Sequence, residues 1–327
     1  MEKEIAVRAK DFDYKIDSVY IGGGTPSVLG KDIKRIMQSI FANFNVCETA
    51  EITAEMNPSA KSEVFLKAAY EAGVNRLSIG AQSSDDKTLC LLGRKHTAAD
   101  TKRAVEKARQ IGFENISLDI MLALPNSTNE TLKRDLDFLV AMKPQHISAY
   151  MLKIEEKTAF YKKVENLNLP DDDQAAEQYL FMCEYLKALG YEHYEISNFC
   201  REDAKSRHNL KYWNCEEYLG IGPSAHSFLN GQRSYYSPDL KQFISSPAVI
   251  PDGFGGDNEE RFMLKLRLSE GVDLGEIFGS VSGSVLSKAD MLCNAGFIER
   301  KGNHISLTDK GMAVSNSIIT EFLYEDI

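Results

Sequence analysis

Cysteine is sparse and scattered in this chain. The six cysteines are Cys47, Cys90, Cys183, Cys200, Cys215 and Cys293. Disulfide frameworks and zinc sites are built from closely spaced cysteines, and no close pair occurs here, so neither is indicated. We expect most of the thiols to be reduced and buried, and we predict no metal site from the cysteines of this chain.

Long apolar runs and an excess of basic charge are also missing. No run approaches the roughly 20 apolar residues that a membrane span needs, and the opening residues are charged where a signal peptide is apolar. Lys and Arg number 38 against 48 Asp and Glu, which gives a net charge of −10 that repels a phosphate backbone. The sequence therefore predicts no nucleic-acid partner, no membrane span and a cytoplasmic location.

The chain does have the composition and the strand and helix alternation of an α/β protein. Its 327 residues are 43% hydrophobic and 26% charged, close to globular averages. Short β-rich runs alternate with helical runs, which is typical of βα units around a parallel sheet. Six strands are predicted, in the runs DSVYIGGG, ETAEITAEMNP, NRLSIGAQS, ISLDIMLALP, HISAYML and YEHYEISNF. Five or six βα units form a barrel, part of a barrel or an open doubly wound sheet, and periodicity leaves these alternatives open.

A change of pattern predicts two domains and a linker. Residues 1–235 hold the βα units, and residues 236–257 are rich in Ser, Pro, Gly and Asp, as in a linker. Residues 258–327 alternate helices with a short hairpin near Lys301 to Leu307, which suggests a small helical domain like a winged helix. On an acidic chain without a basic stripe, we favour a packing role for this domain over nucleic-acid binding.

Three consecutive glycines form the first candidate site. Gly22, Gly23 and Gly24 follow an apolar strand and precede Thr25 and Pro26. Without Cβ atoms the backbone can approach a ligand closely and offer N–H or C=O groups to a charged head. A tight turn needs only one such glycine, so we favour a binding role. The spacing GxGxxG and the lysine of a phosphate loop are both absent.

Polar residues recur near the carboxyl ends of the predicted strands. Glu55 and Asn57 close the second strand, Gln82 closes the third, Asp119 lies in the fourth, and Arg94 follows one short helix later. Each residue alone is best explained as a cap or a hydrogen-bonded side chain. The carboxyl ends of barrel strands converge on one ligand-binding rim, which favours a joint role. S-adenosylmethionine carries the amine, carboxylate and ribose hydroxyls that this set would bind.

A third group lies in the segment YEHYEISNFCREDAKSRHNLKYWNCEEYLGIGPSAHSF. It contains His193, His208 and His226, together with Tyr212 and the single tryptophan, Trp213. Aromatic rings offer stacking surfaces, and a neutral imidazole is a good axial ligand of heme iron. A lone histidine is more often a structural hydrogen-bonding residue, and spacing does not identify which of the three would bind a metal.

These motifs resemble successive blocks of the oxygen-independent coproporphyrinogen III oxidase-like family of radical S-adenosylmethionine proteins. The blocks are GGGTPSVL, EITAEMNPS, NRLSIGAQS with LLGRKHTAAD, ISLDIMLALPNST, ISAYMLKIEEKT and EISNFCREDAKSRHNLKYWNCEEYLGIGPSAHSF. Within the family, HNLKYW is similar to the HNxxYW signature of the heme-chaperone branch. The resemblance runs from about Ser18 to the carboxyl terminus, and it implies a partial, TIM-like (β/α) barrel that lacks its first strand, over residues 1–235.

The resemblance also implies roles for individual residues. Gly22, Gly23 and Gly24, with Thr25 beside them, would meet the methionine amino end of S-adenosylmethionine, and Glu55 would lie near it. Arg94 would hold the carboxylate. Gln82 and Asp119 would face the ribose. The heme-associated motif would consist of His208, Asn209, Tyr212 and Trp213.

The chain departs from the family in one respect. Family members carry a CxxxCxxC motif upstream of the glycines, whose three thiolates hold a 4Fe-4S cluster, and no cysteine precedes Gly22 here. We favour truncation over a natural variant without a cluster, because EKEIAVRAKDF is typical of the end of an amphipathic helix. In either case we expect this polypeptide not to cleave S-adenosylmethionine reductively.

Three functions follow from the resemblance and the departure. The leading hypothesis is a heme chaperone that binds heme or porphyrin and S-adenosylmethionine and passes heme to an acceptor protein. The second is oxidative decarboxylation of coproporphyrinogen III to protoporphyrinogen IX, which would make the protein an enzyme. The third is a non-catalytic scaffold that keeps the fold without a cluster.

Overall fold

The computed structural model describes residues 1–59, 62–156, 160–161 and 167–323. Residues 157–158 of the ISAYMLKIEEKT block and residues 324–327 of the predicted second domain lie outside the described residues. The chain divides into two compact units. The sheet unit comprises Val19–Lys34 and Glu51–Lys205, and the carboxyl-terminal unit comprises Met1–Ser18, Arg35–Ala50 and Ser206–Ile327.

A seven-stranded sheet dominates the first two thirds of the chain. Its strands are β1 (Lys15–Ile21), β2 (Asn45–Met56), β3 (Arg76–Gln82), β4 (Asn115–Leu122), β5 (His146–Met151), β6 (Glu192–Glu195) and β7 (Asn198–Cys200). Their order across the sheet is β1-β2-β3-β4-β5-β7-β6. The pairs β2 with β3, β3 with β4 and β4 with β5 are parallel, as the βα pattern predicts. The sheet is a half barrel of the radical S-adenosylmethionine fold, which confirms the predicted fold class.

Helices connect the parallel strands. The helices before β6 are α1 (Glu2–Arg8), α2 (Ile33–Asn43), α3 (Ser62–Glu71), α4 (Asp86–Leu91), α5 (Ala98–Ile111), α6 (Asn129–Ala141) and α7 (Asp172–Ala188). Thr97, Thr128 and Asp171 begin α5, α6 and α7 with capping boxes, which satisfy backbone N–H groups that would otherwise lack partners. Strands β3 and β4 form the buried centre of the sheet, where Leu77 and Leu118 have no exposed surface.

The sixth predicted strand is wrong in detail, because YEHYEISNF forms a hairpin rather than one strand. Strands β6 and β7 pair antiparallel with Glu195 opposite Asn198, which leaves Ile196 and Ser197 as a two-residue turn. Strand β7 then pairs antiparallel with β5. The segment lacks the Asn-Gly or Asp-Gly dipeptide that signals such a turn, so its sequence does not reveal the reversal.

A second, three-stranded sheet follows α8 (Arg207–Trp213). It consists of β8 (His226–Leu229), β9 (Gln232–Tyr236) and β10 (Val249–Phe254), in the order β10-β9-β8. Both pairings are antiparallel. The predicted linker, 236–257, therefore contains α9 (Leu240–Ser245) and a strand paired to β9, so its residues have regular structure. The predicted domain boundaries themselves stay a prediction.

The last segment has the elements that the sequence suggests. Its helices are α10 (Asn258–Lys265), α11 (Leu274–Phe278), α12 (Gly283–Asn294), α13 (Asp309–Ala313) and α14 (Ser315–Leu323). Its sheet has the order β11-β13-β12, from β11 (Val272–Asp273), β12 (Ile298–Lys301) and β13 (His304–Leu307). The β12–β13 hairpin is the predicted wing. Within the described residues, no helix combines the length and the hydrophobicity of a transmembrane span.

Candidate functional site

The three glycines turn the chain directly after β1. Gly23 and Gly24 have φ angles of +75° and +66°, where a side chain would be strained. A Cβ on Gly22 would lie 2.8 Å from Glu55 Oε1 and 2.5 Å from Tyr20 Cε1, closer than van der Waals contact allows. The backbone N–H of Gly23 donates to Glu55 Oε2 at 3.1 Å. The glycine turn is therefore fitted closely around one carboxylate.

Glu55 is held from both sides of its carboxylate. The hydroxyl of Tyr20 donates to Glu55 Oε1 at 2.7 Å. Burial and then the charge of Glu55 raise the pKa of Tyr20, so this phenol stays protonated and keeps donating. Sequence reasoning did not identify Tyr20, because a tyrosine inside a strand has the appearance of a core residue.

A chain of hydrogen bonds joins the next three polar residues. Asn57 Nδ2 donates to Thr25 Oγ1 at 3.0 Å, and Arg94 Nη1 donates to Asn57 Oδ1 at 3.2 Å. Arg94 reaches this position from the loop after α4. The structure thus brings the predicted residues Thr25 and Arg94 together through Asn57.

Gln82 ends β3 in a left-handed conformation. Its φ angle is +66°, and the β3–β4 register shifts between Gly80 and Gln82, as at a β-bulge. A Cβ on Gly80 would lie 2.9 Å from Gln82 Nε2 and 3.2 Å from Asn57 Oδ1, so Gly80 makes room for both side chains. A left-handed non-glycine residue at the end of a strand is typical of functional positions.

Asp119 projects from β4 beside the same carboxylate. Ser78 Oγ donates to both Asp119 oxygens, at 2.9 and 3.2 Å. The pKa of Asp119 is raised to about 6, chiefly by burial; the hydrogen bond from Ser78 opposes the rise, and the negative charge of Glu55 adds to it. Two carboxylates at close range favour a cation between them, because a positive charge relieves their repulsion.

Two further polar residues near this place were not predicted. Burial and then the charge of Asp119 raise the pKa of Tyr150, and the charge of Glu195 adds to the rise. Glu195 has no exposed surface, and burial raises its pKa to about 7. Among the described residues, Glu195 Oε1 and Asn198 Oδ1 have no hydrogen-bond partner. The one feature of the sequence that could have indicated these residues is a glutamate, Glu195, within a strand that is otherwise rich in aromatic residues.

The heme-associated motif lies on α8 in the carboxyl-terminal unit. His208 uses both ring nitrogens, with Nδ1 2.9 Å from Ser18 Oγ and Nε2 2.8 Å from the hydroxyl of Tyr212. Burial and then the charge of Lys211 lower the pKa of His208 to about 4, so the ring is neutral at physiological pH. Ser206 caps the backbone N–H of Asn209. Trp213 accepts a cation–π contact from Arg267, at 5.8 Å.

The predicted histidine group is only partly one site. His208 and His226 belong to the carboxyl-terminal unit, whereas His193 lies on β6 in the sheet unit. The His193 ring stacks on Phe199 with 4.2 Å between centroids and is buried. His193 is therefore a core residue of the β6–β7 hairpin. The sequence around it did not indicate this burial.

Comparison with known proteins decides the family. The radical SAM superfamily model matches residues 2–139, and the HemN C-terminal domain model matches residues 258–314. The heme chaperone HemW of Bacillus subtilis is 35% identical over 97% of this chain and 88% of its own length. HemW of Lactococcus lactis is 32% identical over 96% of this chain and 86% of its own length. This chain belongs to the HemW family.

A solved structure supports the fold of this HemW family member. Coproporphyrinogen III oxidase (HemN) from Escherichia coli superposes with a TM-score of 0.82, covering 98% of this chain and 81% of that chain. The identity of the two sequences is 22%, so the likeness shows a shared fold and carries no argument about substrate.

The radical SAM family uses S-adenosylmethionine and a 4Fe-4S cluster. The residues around Glu55 fit S-adenosylmethionine, because the bare glycine backbone, two carboxylates, one amide and one guanidinium complement its ammonium, sulfonium, hydroxyl and carboxylate groups. We call Gly22, Gly23, Gly24, Thr25, Glu55, Gln82, Arg94 and Asp119 the rim site.

The cluster does not fit the residues present. A 4Fe-4S cluster of this kind is held by cysteine thiolates. The six cysteines are spread over both units, and no three of them form a ligand group within the described part of the chain. We therefore derive no chemical step through a cluster.

A cavity of the sheet unit lies away from the rim site. It measures about 550 Å³ and is lined in part by Arg109, Lys143 and Arg201. These residues lie near the amino end of β5, whereas ligands of βα folds bind at the carboxyl ends of the strands. The rim site is therefore the better candidate for ligand binding, because its polar groups match a ligand and it lies at the carboxyl ends of the strands.

Proposed function

We propose that this protein is a heme chaperone that binds heme, delivers it to an acceptor protein and binds S-adenosylmethionine at its rim site. The observation that carries the proposal is 35% identity with the heme chaperone HemW of Bacillus subtilis across 97% of the chain. A relationship over nearly the whole chain supports a shared function better than a match to one domain. A cytoplasmic location and transfer to an acceptor protein stay predictions.

The roles proposed for the rim site follow from charge and hydrogen bonding. Glu55 and the glycine backbone would bind the ammonium end of S-adenosylmethionine, and Arg94 would bind its carboxylate through its remaining N–H groups. Gln82 and Asp119 would hold the ribose hydroxyls, since an amide and a carboxylate both accept hydrogen bonds. Asp119 and Glu55 together would favour the positive sulfonium.

Titration of the purified chain with hemin tests the heme-binding half of the proposal. We expect a saturable change in the Soret band that ends at one hemin per chain, followed by transfer of the heme to an added apo-hemoprotein. A linear, unsaturable absorbance increase would contradict heme binding, and saturable binding without transfer would contradict the chaperone role.

Calorimetric titration with S-adenosylmethionine tests the other half. We expect Glu55→Gln to weaken binding by about ten-fold, because the ammonium loses a charged partner worth roughly 1.4 kcal/mol. Glu48→Gln is the matched control, since Glu48 is exposed on the same strand. Equal affinities for both variants would contradict the proposed role of Glu55.

Oxidative decarboxylation of coproporphyrinogen III stays an alternative without a specific observation in its favour. The likeness to the Escherichia coli enzyme rests on 22% identity and supports the fold alone. Formation of protoporphyrinogen by the chain would support the enzyme.

A further inference from the structure

The histidines of this chain differ in whether their ring nitrogens already have partners. Four of the six donate or accept hydrogen bonds, namely His96, His146, His193 and His208. His226 and His304 are exposed, and within the described residues no hydrogen bond to either ring is formed. An imidazole nitrogen can coordinate iron only if its lone pair is available, so His226 and His304 are better placed than the others.

Only one of these two exposed histidines lines a described cavity. The cavity measures about 410 Å³ and lies in the carboxyl-terminal unit. Its lining includes Tyr212, Tyr218, His226, Phe228 and Arg233. A volume of this size is within the range of small-molecule sites, which combine aromatic walls with a few polar groups.

The cavity wall is built to present His226. The ring of His226 stacks on Tyr235 of the neighbouring strand, with 5.4 Å between centroids and 23° between the planes. A Cβ on Gly220 would lie 2.0 Å from the carbonyl oxygen of His226, so only glycine allows the chain to pass this close. The stacking on Tyr235 thus holds the imidazole ring of His226, and the close approach of Gly220 holds its backbone, while the ring nitrogens stay available.

Arg233 lines the cavity together with the acidic residues Glu216 and Glu260. Its guanidinium lies over the ring of Phe228 at 4.6 Å and pairs with Glu260 at 2.6 Å. Glu260 therefore already pairs with this guanidinium, and the aromatic rings are the part of the wall that a ligand can meet. A porphyrin is a flat aromatic ring, and the aromatic side chains of this wall complement it by stacking.

His208, the histidine of the HNLKYW motif, has a different role from His226. Both of its nitrogens are used, and one of them fixes the hydroxyl of Tyr212. Tyr212 in turn meets Tyr218 edge to face, with 4.7 Å between centroids, and both rings line the cavity. His208 is therefore a positioning residue that orients an aromatic wall. Cys215 also lines the cavity, but burial raises the pKa of its thiol and disfavours the thiolate that would bind iron.

We propose that heme binds in this cavity with a ring nitrogen of His226 as an axial ligand of its iron and its porphyrin against the aromatic wall. The inference rests on the proposed heme-binding function and assigns it to a site. It separates the ligand, His226, from the positioning residue, His208.

Hemin titrations of the full chain and its variants test the assignment. We expect His226→Ala to raise the dissociation constant by about ten-fold or more and to remove the spectral signature of histidine-ligated iron. Added free imidazole should restore that signature in His226→Ala, since it fills the space of the missing ring. His208→Gln should keep the signature and weaken binding only a few-fold.

His304→Ala is the matched control, because His304 is an exposed histidine of the same unit outside the cavity. Its affinity and spectrum should equal those of the unmodified chain. If His226→Ala keeps the spectrum while His208→Gln loses it, the assignment is overturned and heme binding stands. If the unmodified chain binds no hemin, the proposed function and this assignment fail together.

Discussion

Glu55 shows how single residues shape the rim site. Its carboxylate accepts from Tyr20 and from the backbone of Gly23, and the absent side chain of Gly22 leaves room for it. A carboxylate fixed in this way needs no rearrangement to meet a cation, which lowers the entropic cost of binding.

Replacing Gly22 by alanine tests this fit. The new Cβ would lie 2.8 Å from Glu55 Oε1, so the carboxylate must move. Overpacking of this kind costs about 1–3 kcal/mol, and we expect affinity for S-adenosylmethionine in calorimetry to fall by about ten-fold or more. Gly283→Ala is the control, because a Cβ there meets nothing within 4 Å. Unchanged affinity in Gly22→Ala would show that Glu55 does not need its observed position.

Glu195 makes stability depend on pH. Burial raises its pKa in the folded protein from 4.5 to about 7. Between these values the folded protein keeps a proton that the unfolded chain has released, so stability falls as pH rises through this window. A shift of this size corresponds to about 3 kcal/mol.

We therefore expect Glu195→Gln to gain stability relative to the unmodified chain as pH rises from about 4.5 to about 7, with a constant difference above. Urea unfolding at several pH values across this range measures the difference in the free energy of unfolding between the two chains. Glu106→Gln, at an exposed position on α5, should show no such trend. A difference that does not vary with pH would mean that Glu195 titrates normally.

At the scale of elements, α6 holds the end of β3 in place. Asp135 of α6 is 8% exposed and accepts hydrogen bonds from the Ser83 hydroxyl at 3.1 Å and from the Ser84 N–H at 2.6 Å. These serines directly follow Gln82, whose backbone is left-handed. The helix thus fixes the strand end that carries a rim residue.

Replacing Asp135 by alanine leaves these donors without their acceptor. Unsatisfied buried groups cost about 1–3 kcal/mol, so we expect urea unfolding to show a loss of about 2 kcal/mol. We also expect weaker binding of S-adenosylmethionine. Asp137→Ala on the same helix is the control, because Asp137 is an exposed partner of Lys133 and such pairs contribute less than about 1 kcal/mol. Equal losses in both variants would contradict the anchoring role.

At the scale of the whole molecule, ligand binding should raise the temperature of unfolding. A ligand at about 100 times its dissociation constant stabilises the folded state by about 2.7 kcal/mol. We expect S-adenosylmethionine to raise the unfolding temperature of the chain, and Arg94→Gln to reduce the rise at equal ligand concentration. Arg103→Gln, an exposed arginine of α5, should behave like the unmodified chain. No rise at any concentration would contradict binding at the rim site.

The sequence by itself determined the parallel strands and the glycine turn, and it predicted the residues of the rim site. Period-two and helical patterns are local, and the carboxyl ends of neighbouring parallel strands lie at one edge by geometry. For that reason Glu55, Gln82, Arg94 and Asp119 were predictable as a group.

Only the tertiary structure decided the β6–β7 hairpin, the burial of Glu195 and the bonding of His208. One partner of His208 is Ser18, which is 190 residues away in the chain, and no local pattern encodes such a contact. Hydrogen bonding and desolvation depend on which distant residues fold against a side chain. The sequence therefore names the histidines, and folding determines which of them keeps its nitrogens available.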